Sequence, residues 1–392
     1  MTFYFIASIL VALWLVLVIY AVRTFMPNIR YFRFRKYLTK RTAVLLFALF
    51  ILAARFFTQP TIITTPPSAS SSLPTQNRAT DPWFELYFTN PLASQETGGP
   101  DERIAKAIDS ARTRVDVSIY SLNLNSIRDA LLRAHTRGVQ VRMVMESDNL
   151  DRDAPQNLHD AGIPILGDRR EGLMHNKFVV IDNSEVWMGS MNFTDSGAYA
   201  DNNNLVRIRS TEMAENYTRE FDEMFVDDRF GPDVVINTLH PRVSIDGTTI
   251  EVFFAPDDKP QSHIVDLVNG AQTNIYFMAY SFTADAIGDA IRSRARDGVY
   301  VSGVMESQQA KSNQGTEFDR FSQAGLNVLL DGNPGQMHHK VIVIDEKVVI
   351  FGSYNFSNNA ETRNDENVIV VYSTGIAAQF IAEFQRVYTQ AR

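Results

Sequence analysis

Two stretches of this 392-residue chain carry the same six residue types at the same spacing. The first is His175-x-Lys177-x4-Asp182-x6-Gly189-Ser190-x-Asn192, and the second is His338-x-Lys340-x4-Asp345-x6-Gly352-Ser353-x-Asn355. Histidine ionises near neutrality, so it serves as nucleophile, acid or base at ordinary pH. Lysine supplies a cation, and Asn and Ser supply donors suited to anionic oxygens. The runs HNKFVVI and HHKVIVI read as strands. Alternation along a strand then puts His175 with Lys177, and His338 with Lys340, on one face. His339 turns to the other face and reads as a packed or edge residue. Asp182 and Asp345, an odd number of residues from their histidines, read as structural.

This double pattern resembles the HKD motif of the phospholipase D superfamily, which includes phospholipases D, cardiolipin and phosphatidylserine synthases, and metal-independent nucleases. The resemblance covers residue 83 to the end of the chain. It implies one composite active site that cleaves phosphodiesters, with one histidine forming a covalent phosphohistidine and the other serving as acid and then base. Lys177, Lys340, Asn192 and Asn355 would hold the non-bridging oxygens, with the hydroxyls of Ser190 and Ser353 in support. Two ammonium groups make a metal unnecessary, and no cofactor is expected.

Relatives also place a carboxylate 28 residues after each histidine, to accept the Nδ1 proton. Glu366 matches in the second copy, whereas the first carries Asn203. Read within each copy, this gives His338 the carboxylate and makes it the better nucleophile, and leaves His175 the better acid. Two alternatives stay open. Asp201 could substitute for Asn203, and in some relatives the amino-terminal histidine is the nucleophile.

The elements that must position these residues repeat as well. Residues 111–147 align with 271–307 at an offset of 160, pairing Tyr120 with Tyr280 and Glu146 with Glu306. From His175 onward the offset is 163, so three residues are inserted between Glu306 and His338. Tyr120, Tyr280, Glu146 and Glu306 lie at strand ends, where they read as rim, packing or capping residues outside the catalytic set. Each copy alternates β-branched strands with amphipathic helices. The predicted fold is α/β: two tandem phospholipase D-like α-β-α sandwich repeats, 83–235 and 236–392, packed about a pseudo-twofold axis.

Ahead of the repeats lies a different kind of sequence. Residues 3–22 form an uncharged apolar run of bilayer-spanning length, and a second, shorter run starts at Ala43. With the basic loop 23–42 between them, residues 1–60 read as a transmembrane helical hairpin, helices about 3–22 and 43–60, the loop cytoplasmic by the positive-inside rule. Residues 61–82 form a Pro/Ser/Thr-rich linker with a reach of about 25 Å. The catalytic body is then expected outside the cytoplasm, anchored to a bacterial-type inner membrane.

The chain has no cysteine, which removes disulfides and thiolate chemistry. Residues 1–80 hold nine Lys and Arg and no acid. The rest carries 28 basic against 45 acidic residues, a net of −17. So acidic a body is a poor general attractor for nucleic acid. The expected partners are therefore phospholipid substrate and membrane, with nucleic acid the alternative substrate and no obligate protein partner. The same motifs fit a phospholipase D, an extracytoplasmic nuclease, or a cardiolipin synthase-like phosphatidyltransferase.

Overall fold

A computed structural model describes residues 83–91 and 97–392. The expected membrane hairpin and linker lie outside the described residues. Among the described residues no helix is long and apolar enough to cross a membrane.

The first repeat runs β1 (Phe84–Phe88), α1 (Pro100–Ser110), β2 (Arg114–Ile119), α2 (Asn125–Thr136), β3 (Gln140–Met145), α3 (Asp153–Asp160), β4 (Ile165–Gly167), β5 (Lys177–Ile181), β6 (Glu185–Gly189), α4 (Asp195–Tyr199), β7 (Asn204–Arg209) and α5 (Thr211–Phe225). Its sheet has the order β1-β7-β6-β5-β2-β3-β4. The second repeat opens with β8 (Arg242–Ile245) and β9 (Thr248–Ala255), followed by α6 (Pro260–Asn269), β10 (Asn274–Ala279), α7 (Asp285–Arg296) and β11 (Tyr300–Met305). It continues with α8 (Ser307–Ser312), α9 (Glu317–Gln323), β12 (Asn327–Leu330), β13 (Lys340–Ile344), β14 (Val348–Gly352), α10 (Asn358–Thr362), β15 (Glu366–Tyr372) and α11 (Thr374–Gln390). Its sheet order, β12-β11-β10-β13-β14-β15-β9-β8, repeats the first and adds one strand. The extra strand β8 joins β9 through Asp246 and Gly247, both at positive φ, the backbone a tight hairpin needs. That Asp-Gly signal was present in the sequence, but the periodicity did not separate β8 from the connection before it.

The closing helices α5 and α11 explain how the halves join. Each is capped by a serine, Ser210 to the N–H of Met213 and Ser373 to that of Ile376. On α5, Met213, Tyr217, Phe221 and Met224 fall at helical spacing and bury one stripe. That stripe and Ile376, Phe380, Phe384 and Val387 of α11 share one core cluster with the inward side chains of both sheets. Two further clusters lie on the outer faces, one beneath α1 and α2 and one beneath α6 and α7. The result is two α-β-α sandwiches whose cores are continuous across their junction.

Candidate active site

Just ahead of β5 and β13 the chain pairs with the opposite repeat. Met174 bridges to Asp365, and Asn202 to Met337. The backbone N–H of His175 donates to Asp365 O at 3.1 Å, and that of Asp365 to Leu173 O at 2.9 Å. The second bridge mirrors the first: Asn202 donates to Gln336 O at 2.7 Å and His338 to Asn202 O at 3.0 Å. Each motif histidine is thereby set beside the chain entering the last strand of the other repeat, β15 for His175 and β7 for His338.

This crossing corrects the expected partners. His175 Nδ1 lies 2.8 and 2.9 Å from the two carboxylate oxygens of Glu366. His338 Nδ1 lies 2.9 Å from Asn203 Oδ1. Within a repeat, β6 stands between β5 and β7, and β14 between β13 and β15. Two strand spacings, about 9.5 Å, therefore separate a histidine from the residue 28 positions later in its own sheet. Across the junction the backbones are hydrogen-bonded directly. The expectation that Glu366 favours His338 as nucleophile falls with this geometry. Asp201 does not replace Asn203 either, since its carboxylate accepts from the backbone N–H of Gln336.

These contacts set the tautomers. A carboxylate only accepts, so His175 carries its proton on Nδ1 and presents a free Nε2 lone pair. Asn203 Oδ1 also accepts from Ser190 Oγ at 2.8 Å, while its Nδ2 donates to Gly197 O at 2.9 Å. The amide is thus oriented with oxygen toward His338, which also holds its proton on Nδ1. Ser353 plays the corresponding part for Glu366, donating to Oε2 at 2.7 Å. Ser190 and Ser353 are fully buried and committed to these partners. They orient the residues behind the histidines and do not face a phosphate.

The lysines are buried with the histidines. Lys177 Nζ donates to His175 O and Lys340 Nζ to His338 O, both at 2.7 Å. Burial pushes the Lys177 ammonium down to about 7, with Glu366 acting in the opposite direction. Lys340 falls well below the ordinary lysine range, through burial and the nearby Lys177 charge. Burial also lowers His175 to about 4, against the pull of Glu366. His338 falls well below the usual histidine value through burial, then Lys340, Lys177 and His175. These couplings bring both histidines and both lysines into one electrostatic cluster, ready for an anion that restores their charge.

Tyr120 and Tyr280 pack against this cluster. Tyr280 meets His338 edge-on at 4.6 Å between ring centroids, with Lys340 Nζ 4.7 Å from its ring centre. Tyr120 stands to His175 and Lys177 in the same way, at 5.3 Å for each. The repeat at offset 160 carried this signal, and only the folded geometry gave it a role. Glu146 and Glu306 cap the turns that follow, accepting from Asp148 and Gln309 N–H.

The remaining motif residues divide cleanly. Asn192 and Asn355 each bury an amide oxygen that has no hydrogen-bond partner. Asp182 receives the backbone N–H groups of Arg112, Thr113 and Arg114, and Asp345 those of Gln272, Thr273 and Asn274. Those donors hold both carboxyls below their usual range despite partial burial. Gly189 and Gly352 are required by close approach: a Cβ there would sit 2.4 Å from Asn204 O or 2.2 Å from Asn367 O.

Sequence reasoning missed a second layer. His339 is fully buried, with Nε2 donating to Glu383 at 3.0 Å and Nδ1 accepting from Asn204 Nδ2 at 3.1 Å. On the other side Asn367 Nδ2 donates to Asn176 Oδ1 at 2.7 Å, and Asn176 Nδ2 to Glu220 at 3.1 Å. Each chain crosses the junction one residue beyond a histidine and fixes its strand. The signal was Asn204 and Asn367 at equivalent positions, with Glu220 and Glu383 repeated 163 apart.

Comparison with known proteins finds one family twice along the chain. A family model described as cardiolipin synthase, PLD-like domain, matches residues 104–225 and 264–388, more than half of the chain. A mitochondrial cardiolipin hydrolase of Chlamydomonas reinhardtii is 32% identical over 127 residues, 32% of this chain and 56% of the relative. A phospholipase D of Rickettsia prowazekii (strain Madrid E) is 31% identical over 134 residues, 34% of this chain and 65% of the relative. The chain thus spans between about half and two thirds of the length of these curated relatives. Phosphatidylserine synthase of Haemophilus influenzae Rd KW20 shares the fold, with a TM-score of 0.59 at 14% identity over 78% of this chain and 87% of that one.

Proposed function

From the premise that the chain belongs to the phospholipase D-like family, we propose that it is a metal-independent phosphodiesterase that cleaves or transfers glycerophospholipid headgroups through a phosphohistidine on His175. The observation that carries this reading is the crossed pair: a carboxylate behind His175 and a neutral amide behind His338.

In the first step the Nε2 lone pair of His175 forms a bond to phosphorus as the P–O bond to the headgroup breaks. The departing oxygen takes the proton from Nε2 of His338. Glu366 stabilises the positive imidazole ring that results on His175, which an amide does far less well. His338 has no such carboxylate, so its imidazolium surrenders a proton more readily. The bound phosphodiester, being an anion, offsets the charge His338 must first acquire. In the second step water or an alcohol gives its proton to His338 Nε2, its oxygen bonds to phosphorus, and the P–N bond breaks. Lys177, Lys340, Asn192 and Asn355 hold the non-bridging oxygens throughout.

A lipid substrate is favoured by the named activities of the curated relatives, and by an acidic body that is a poor general attractor for nucleic acid. The apolar runs before residue 63 would anchor the enzyme at a membrane, with its body outside the cytoplasm. The test is to incubate the full chain with radiolabelled phospholipid and with DNA in parallel, each with excess chelator. Headgroup release from lipid alone is expected. Cleavage of DNA with lipid untouched makes the chain a nuclease, and strict dependence on a divalent ion removes the metal-free mechanism.

A further inference from the structure

The segment that carries His175 is held from two sides. On one side Leu173 O accepts from Asp365 N–H at 2.9 Å, and His175 N–H donates to Asp365 O at 3.1 Å. In extended chain the intervening N–H points the other way, and there Met174 N–H donates to Glu146 Oε2 at 3.1 Å. Glu146 Oε1 accepts from Asp148 N–H at 3.3 Å. Glu146 thus ties the end of β3 to the residue next to the nucleophile. In the second repeat the matching oxygen is spent locally: Glu306 Oε2 accepts from Gln309 N–H at 2.6 Å.

Glu146 has a second acid beside it. β3 and β4 pair in parallel with Met145 opposite Gly167, so the next rung sets Glu146 against Asp168. Asp168 N–H donates to Met145 O at 3.2 Å, and Asp168 Oδ1 accepts from Ser147 N–H at 2.9 Å, which fixes that rung. Glu146 is 3% exposed and Asp168 fully buried. Like charges at neighbouring buried positions repel, and one proton between them removes the repulsion. Burial first, then the Asp168 charge, raise the Glu146 carboxyl to about 7, against its two N–H donors. Asp148 adds negative charge from the turn, Tyr120 faces Glu146 from the end of β2, and Asp365 faces Asp168 from the other repeat. Among the described residues the buried Oδ2 of Asp168 has no hydrogen-bond partner. The second repeat differs again: Asp331, on the rung with Glu306, gives its Oδ2 to Asn333 N–H at 3.1 Å.

We propose that Glu146 and Asp168 share one proton, and that Glu146, so neutralised, is a positioning residue that holds His175 in line through Met174. The proposal rests on the functional reading above, in which His175 attacks phosphorus. The shared proton acts in two ways. It gives Asp168 Oδ2 the donor that a buried acceptor needs. It also keeps a second negative charge from building up beside Tyr120, whose ring packs against His175 and Lys177. Glu146 meets the chain at Met174 N–H and not at a reacting atom. Loss of the proton sets two carboxylates against each other on one rung and pulls on that bond. The brace belongs to the first repeat, whose histidine must approach phosphorus and bond to it.

Infrared difference spectra of the full chain between pH 6 and 9 read the proton directly. A carboxylic-acid carbonyl band should be present at pH 6 and fade by pH 9. Glu146→Gln should lack that band, and Asp168→Asn should move its midpoint to lower pH. Turnover of bis(p-nitrophenyl) phosphate reads the positioning. Glu146→Leu leaves Met174 N–H and Asp168 Oδ2 buried and unpaired, and should lower kcat by about tenfold with KM little changed. Glu146→Gln offers an acceptor to Met174 and a donor to Asp168. It should bring kcat back to within a few-fold of the parent, and its kcat/KM should fall less steeply with rising pH. The shape of a pH profile does not depend on how much of the enzyme is folded. A band unaltered by Glu146→Gln overturns the shared proton, and a Leu variant as active as the Gln variant overturns the positioning role. No turnover by the parent, or an adduct on His338, ends the functional reading and the positioning role with it, while the band still decides the acid pair.

Discussion

His175 and Glu366 lie 191 residues apart in sequence, yet the Nδ1 of one is 2.8 Å from a carboxylate oxygen of the other. The pair closes the site across the repeat junction, and its counterpart, His338 with Asn203, has no charge. Rapid denaturation without acid, followed by mass spectrometry, should find the phosphoryl adduct on His175. Glu366→Gln should slow adduct formation by roughly 10²-fold, the scale for losing one preorganised electrostatic partner. Asn203→Ala should slow it less. An adduct on His338 alone would reverse the assignment.

The double motif, the offsets of 160 and 163 and the alternation along HNKFVVI and HHKVIVI made the two repeats and their histidines and lysines legible before any coordinates. What the sequence hid was which half completes which. Glu366 follows His338 by 28 residues, and nothing in that spacing reveals that β14 stands between them or that Met174 bridges to Asp365. Ser190 and Ser353 misled for a related reason. A hydroxyl two residues from a motif Asn reads as another donor, until its partners are seen to be Asn203 and Glu366. Three inserted residues were countable, but the helix α8 after Glu306 was not.

Lys177 sets an expectation for pH. Burial has brought its ammonium down to about 7, and it must be charged to hold a phosphodiester anion. Raising pH through that value removes the charge, so kcat/KM should be highest below about 7 and fall above it. Glu366 pulls the Lys177 value upward. Glu366→Gln should therefore move the alkaline limb to lower pH as well as lower the rate. A profile flat from pH 6 to 9 would show that Lys177 keeps its proton in the free enzyme.

Glu220 lies fully buried at the repeat junction, bonded to Asn176 Nδ2 but facing the acids Asp257, Asp365, Glu223 and Asp258. Burial first, and those charges second, raise its carboxyl well above the usual range. The folded state therefore keeps a proton that the unfolded chain gives up. The stability this contributes is complete below the ordinary carboxylate range and is lost as pH rises through the raised folded value. Glu220→Gln mimics the protonated group at every pH. It should raise Tm at pH 8 by a few degrees, change little at pH 5, and flatten the curve between. A loss of Tm at both pH values would mean that the ionised form supports the junction.

Tyr280 separates a ring effect from a hydroxyl effect. Its face lies 4.7 Å from Lys340 Nζ and its edge meets His338, while its hydroxyl engages the side chains of Gln309 and Gln336. A buried cation over an aromatic face gains about 2 kcal/mol when water is excluded, which corresponds to roughly 30-fold in an equilibrium or rate. Lys340 needs that help, because burial and the Lys177 charge both disfavour its ammonium. Tyr280→Leu removes the face and should cost about that factor in kcat/KM at pH 7. Lowering the pH should restore part of the loss, since the remaining deficit is a missing proton on Lys340. Tyr280→Phe keeps the ring and should stay within a few-fold of the parent at both pH values. If Phe proves as damaging as Leu, the hydroxyl is the working group and the cation–π account fails; if the Leu deficit is the same at pH 5.5 and 7, the ring acts by shape and leaves the lysine charge untouched.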